Sequence, residues 1–139
     1  HTMTDTRNEI SILVVPEGGY PVRKTIPNTL EAKQKEVGGF IEPFGLKDGA
    51  TIYCNDEGKL GPWNLNRAIL ASDISDEEEG RIVEMMAGTF IITGFDYETG
   101  EDMSLTDEQA DYWEHRFHNP EILVSDGEGG GVVLPIVLA

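Results

Sequence analysis

The sequence predicts a small α+β domain, with a mostly antiparallel sheet and two or three helices. Three observations lead there. The 139 residues are 39% hydrophobic, enough for one core in a single domain. Short runs rich in β-branched and aromatic residues recur at 10–15, 40–44, 51–54 and 89–95. Helix-start signals fall between them without the regular strand–helix alternation of a doubly wound sheet.

In chain order, Ile-Ser-Ile-Leu-Val-Val at 10–15 stops at Pro16 and Gly18-Gly19, as a buried strand closed by a turn does. Residues 22–26 alternate weakly and form the second arm of a hairpin. Asn28 and Glu31 have capping-box spacing, so a helix covers 29–37, places Leu30 and Val37 on one face and ends at Gly38-Gly39. Segments 40–44 and 51–54 read as two strands joined through 45–49. Asn55-Asp-Glu-Gly is a turn, Lys59-Leu60 begins a return strand, and 61–64 is a loop. Residues 65–71 show no decisive period. Residues 73–79 are expected to be exposed and acidic; Ser75 and Glu78 start a helix that Gly80 keeps short.

The clearest interior strand is 89–95, followed by a polar turn at 96–102. Thr106 and Gln109 then open the best helix, with Ala110, Trp113 and Phe117 on one stripe and Pro120 as its stop. Residues 122–124 and 132–138 read as strands separated by a flexible glycine link at 127–131. The expected organisation is a tag remnant at 1–2, a flexible N-terminus at 3–9, one α+β domain at 10–119 and a glycine-rich extension with an added strand at 120–139.

One cysteine, Cys54, forms no internal bridge, which fits a reducing compartment. No apolar run approaches the roughly 18 residues of a membrane span. A cytoplasmic protein without a cofactor is expected, its oligomeric state left open.

Charge is the unusual quantity. The chain carries 26 acids and 10 bases, for a net charge of −16. Residues 72–114 hold 14 of those acids and a single base, Arg81, whereas residues 1–71 are nearly balanced. Such asymmetry repels nucleic acid and anionic lipid and attracts basic partners. The bases Arg7, Arg23, Lys24, Lys33, Lys35, Lys47, Lys59 and Arg67 are dispersed among acids, which argues against direct DNA binding.

An ordered series of short motifs runs through this chain: Ile12-Leu-Val-Val-Pro, Leu30-Glu-Ala, Val37-Gly-Gly-Phe-Ile-Glu, Cys54-Asn-Asp-Glu-Gly-Lys-Leu, Asn66-Arg67, Ala87-Gly-Thr-Phe and Leu105-Thr-Asp-Glu-Gln. Over residues 10–117 the series resembles a family of small uncharacterised proteins common on phages and bacterial mobile elements and catalogued as a domain of unknown function. The resemblance implies a mobile-element setting. It transfers no catalytic residues.

Four constellations bear on chemistry. A nucleophilic Cys54 needs a lowered pKa, and its neighbours Asp56 and Glu57 push the other way, so a strand-terminal core cysteine is the simpler reading. Asp111, His115 and His118 share a helical face suited to a metal, but Pro120 ends the helix one turn later and nothing marks a fourth ligand, so an exposed polar face is the simpler reading and no metal is expected. In Asp96–Asp102 the glycine falls out of register for a calcium loop. The acids Asp76, Glu77, Glu78, Glu79, Asp96, Glu98, Glu101, Asp102, Asp107, Asp111 and Glu114 are the partner-binding candidates if the fold gathers them; a solvated, solubilising face is the competing reading.

The expected function is therefore non-enzymatic. An acidic protein of a phage or mobile element would occupy the basic surface of a host nucleic-acid-handling defence protein, in the manner of an anti-CRISPR or anti-restriction DNA mimic. The alternative is a binder of a small molecule or nucleotide signal, with Arg23, Lys24, Lys59 and Arg67 on phosphates and Tyr53, Asn55 and Trp63 around the base. An enzyme built on Cys54 or the two histidines ranks third.

Overall fold

The computed structural model describes residues 8–58, 65–76 and 78–137. The chain runs β1 (Glu9–Val15), β2 (Val22–Pro27), α1 (Leu30–Val37), β3 (Ile41–Gly45), β4 (Ala50–Asn55), β5 (Leu65–Leu70), β6 (Ile82–Ala87), β7 (Phe90–Asp96), β8 (Glu101–Met103), α2 (Asp107–Arg116), β9 (Glu121–Ser125) and β10 (Gly131–Pro135). The α+β class and antiparallel pairing are as expected. Among the described residues no helix is long and apolar enough to cross a membrane.

The main sheet has the order β2-β1-β7-β4-β3, with β8 continuing the β1 side of β7. Every pairing is antiparallel. Because alternate side chains of a strand face opposite ways, β1 feeds two cores. Leu13 and Val15 join Ile52, Phe90 and Ile92 beneath Trp113 of α2 and Phe117 at its C-cap, while Ile10 and Ile12 join Ile26, Ile91 and Val37 of α1. Each helix thus covers one face of the sheet. The β5–β6 ribbon adds Ile69 and Met86 to the α2 side.

The main strands, the β1–β2 hairpin and the α2 stripe stand where the sequence places them. Other details differ. The first helix is capped by Thr29, whose hydroxyl accepts from Ala32 N–H at 3.1 Å, because Asn28 turns its amide to Asp102 O. Its buried positions are Lys33 and Val37, and Leu30 is exposed because contact with the sheet starts one turn later. No α-helix forms over the described residues of 73–79. A 3-10 turn at Ala71–Asp73 precedes a loop closed by Ser72 N–H on Glu79 O, and Asp73 is buried rather than exposed. Residues 65–70 and 82–87 are strands that the sequence did not mark. The expected return strand at Lys59-Leu60 and the loop at 61–64 lie outside the described residues.

Candidate binding surface around the second helix

The position of α2 is set first by its own ends. Thr106 Oγ1 accepts from Gln109 N–H at 3.1 Å, and Gln109 Oε1 accepts from Thr106 N–H at 2.8 Å, a complete capping box. Ahead of the helix, Leu105 N–H donates to Ser11 O at 2.9 Å and ties it to β1. Gln109 also donates to Asp48 O at 2.7 Å, and Phe95 N–H donates to Gly49 O at 2.9 Å, so the 46–49 turn joins the start of α2 to the end of β7. Gly94 is needed here: a Cβ would stand 2.7 Å from Ser104 O.

At the other end, Asn66 and Arg67 of β5 act as a staple. Asn66 Nδ2 donates to Val15 O and Gly88 O, both at 2.9 Å. Arg67, with no exposed surface, donates to Phe117 O (2.9 Å), Gly19 O (2.7 Å) and Asn66 Oδ1 (2.6 Å). A cation on carbonyls just past the helix C-terminus also suits the helix dipole. Burial brings the guanidinium down to about 10, against the opposing pull of Glu121. Arg67 is therefore a structural residue, not the surface phosphate contact that its sequence context allows.

Two acidic segments flank this fixed helix, which carries acids of its own. The loop after β5 is fastened by Asp73, which takes Arg116 Nε and Nη2 at 2.8 Å each, and by Lys47, which reaches Asp76 at 2.6 Å while lying over the Tyr112 ring. Asp76 and then Tyr112 hold the Lys47 ammonium above its usual value. On the opposite flank, Arg23 of β2 pairs with Asp111 and with Glu114 at 2.9 Å. At the N-terminal end stands the β7–β8 turn, where Asp96 and Glu101 are cross-strand partners.

Of the predicted partner-binding acids, Asp76, Asp111 and Glu114 are thus engaged by bases, and Glu78 lies 3.9 Å from Arg81. Glu79, Asp96, Glu98, Glu101 and Asp107 have no basic partner within 4 Å among the described residues. Glu108, exposed in the first turn of α2, belongs with them although it is not among the sequence candidates; its place beside Asp107 is its signal in the sequence. Asp102 does not belong. Its side chain is 5% exposed, pairs with Lys33 of α1 and accepts from Tyr53 Oη at 2.8 Å. Burial and this carboxylate raise the Tyr53 phenol. Glu77 lies outside the described residues.

The alternative ligand residues do not converge. Arg67 is buried, Arg23 is paired as above, Lys24 bonds both oxygens of Glu36 at 2.8 Å, and Tyr53 serves Asp102. Asn55 caps its own turn through Glu57 N–H, and Lys59 and Trp63 lie outside the described residues. Cys54 sits in a small cleft with Glu42 and Glu84, where burial and then those carboxylates push its thiol up to about 11. Such a thiol is neutral at ordinary pH and not primed for attack. His118 lies past the helix end and stacks on Tyr20 at 4.6 Å, which breaks the expected Asp111–His115–His118 face. Among the described residues no three His, Cys, Asp or Glu side chains are arranged to hold a metal.

Comparison with curated proteins finds no match, and comparison with solved structures finds none. A family profile, Domain of unknown function (DUF3846), matches residues 10–118, which span both helices, the main sheet and the Asn66-Arg67 staple. The chain belongs to the DUF3846 family.

Proposed function

We propose that the chain is a non-enzymatic binding protein of a phage or mobile element, which occupies the basic surface of a host nucleic-acid-handling defence protein. The observation that carries this reading is a set of carboxylates with no basic partner among the described residues, of which Glu79, Glu98, Glu101, Asp107 and Glu108 are exposed and Asp96 is half-buried, on and beside a helix fixed at both ends. Carboxylates on a rigid support lose little freedom on binding and stand in for the phosphates of a duplex, which recur about every 1.7 Å of axis. An anti-CRISPR or anti-restriction role is the specific form of the proposal.

Affinity capture from host lysate at low and high salt, with the retained protein identified, tests it. A basic nuclease held at about 50 mM salt and released at about 500 mM is expected, since exposed charge pairs are screened beyond roughly 10 Å at 0.1 M. Retention indifferent to salt, or to joint reversal of Glu98, Asp107 and Glu108 to Lys, contradicts it.

A further inference from the structure

We propose that the groove between the β5–β6 ribbon and the β9–β10 hairpin docks a short basic segment of a partner protein, one that carries branched aliphatic side chains between its Lys or Arg residues. The inference rests on the basic-partner reading above and adds an apolar anchor to it.

The groove encloses about 420 Å³, with Leu70, Gly80 and Ile82 on one wall and Val132 and Val133 on the other. Ile82 is 40% and Val132 49% exposed, so both walls offer apolar surface to solvent. The charged groups inside are already engaged. Arg116 is held by Asp73 and donates to Ala68 O at 3.1 Å, while Glu121 accepts from Ala68 N–H at 2.8 Å. Recognition within the groove is consequently apolar.

Its mouths are acidic in balance, the one base there being Arg81, which lies 3.9 Å from Glu78. Glu78 and Glu79 immediately precede Gly80 at one, and Asp126 and Glu128 occupy the hairpin tip that leads into Gly131 at the other. Apolar walls between two acidic rims complement a segment with aliphatic side chains flanked by cations. A second copy of a chain with net charge −16 would set like rims against each other, and anionic lipid is repelled by the same charges. The hairpin lies beyond the family-matched residues 10–118, so one wall of the groove in this chain comes from outside the matched segment.

Gly80 supplies the test. A Cβ there meets nothing within 4 Å and its backbone lies outside the left-handed region, so Gly80→Leu adds an apolar side chain at the groove wall without strain. Fluorescence anisotropy on the full chain would compare a hexapeptide having two leucines between pairs of arginines with the same peptide having serines instead. Wild type should bind the leucine peptide about 10-fold or more tighter, the least that burial of one Leu-sized side chain supplies. Gly80→Leu, and independently Val132→Ser, should abolish the difference and leave the weaker, salt-sensitive serine-peptide binding unchanged; circular dichroism confirms their folding.

Equal affinity of wild type for the two peptides overturns this inference and leaves the acidic-surface reading standing. Failure of both peptides to bind at low salt sinks both. A concentration-dependent dimer that disappears in Gly80→Leu assigns the groove to a second copy and also overturns the inference.

Discussion

Arg67 is the residue whose surroundings say most about how this chain folds. Its charge is satisfied by carbonyl oxygens from the β1–β2 turn and the end of α2 and by the neighbouring Asn66 side chain. Arg67→Ala should cost roughly 3–5 kcal/mol in urea unfolding, because it strands several buried acceptors and opens a cavity. A loss below about 1 kcal/mol would show that the staple is dispensable. The Asn66-Arg67 pair is visible in the sequence as a motif. Its role is not, since its partners lie about 50 residues away on either side.

Cys54 gives a second residue-scale prediction. Its folded pKa of about 11 stands above the unfolded value of about 8.5, so the native state keeps a proton that the unfolded chain releases. Its contribution to stability is therefore full below about pH 8.5 and declines as pH rises toward 11. Thiol-reagent kinetics on the folded protein should show the matching delay, with little acceleration until pH passes about 10. A reactive thiol at pH 7.5 would contradict the neutral, buried assignment.

At the scale of elements, legibility followed burial pattern. Strands β1, β4 and β7 are apolar runs bounded by turn signals, and α2 carries both a capping box and a periodic stripe, so all four could be read directly. The β5 strand is buried at five successive positions, and its pairing with β6 is bulged at two places, which erases the alternation that marks a strand. The short acidic helix expected near Ser75 fails because Asp73 spends its carboxylate on Leu70 N–H and Arg116. The 71–79 loop is instead closed by Ser72 N–H on Glu79 O and held from outside by Lys47 and Arg116.

Asp102 illustrates the same limit. As one acid in a polar turn it looks exposed, yet it joins β8 to Lys33 of α1 and Tyr53 of β4. Asp102→Ala should destabilise the protein by about 3–4 kcal/mol in thermal or urea unfolding, because Lys33 is then buried without its counter-charge. A change within about 0.5 kcal/mol would mean that Lys33 reaches water.

For the whole molecule, the sequence showed where the charge is but not which charges are available. Arg23, Lys47 and Arg116 come from outside the acidic segment or its far end and engage Asp111, Glu114, Asp76 and Asp73. The exposed remainder is smaller than composition implies and is spread over the first turn of α2, the end of the 71–79 loop and the β7–β8 turn. If that remainder is the contact surface, its binding must be electrostatic in rate and in salt response.

The most direct measurement is the affinity for the captured basic partner between about 50 and about 200 mM salt, for wild type and for the triple variant Glu98→Lys, Asp107→Lys, Glu108→Lys. Binding that weakens at least about 10-fold over that range in wild type, and is lost in the variant, is the predicted result. A Kd independent of salt and unchanged in the folded variant would contradict an acidic binding surface around α2.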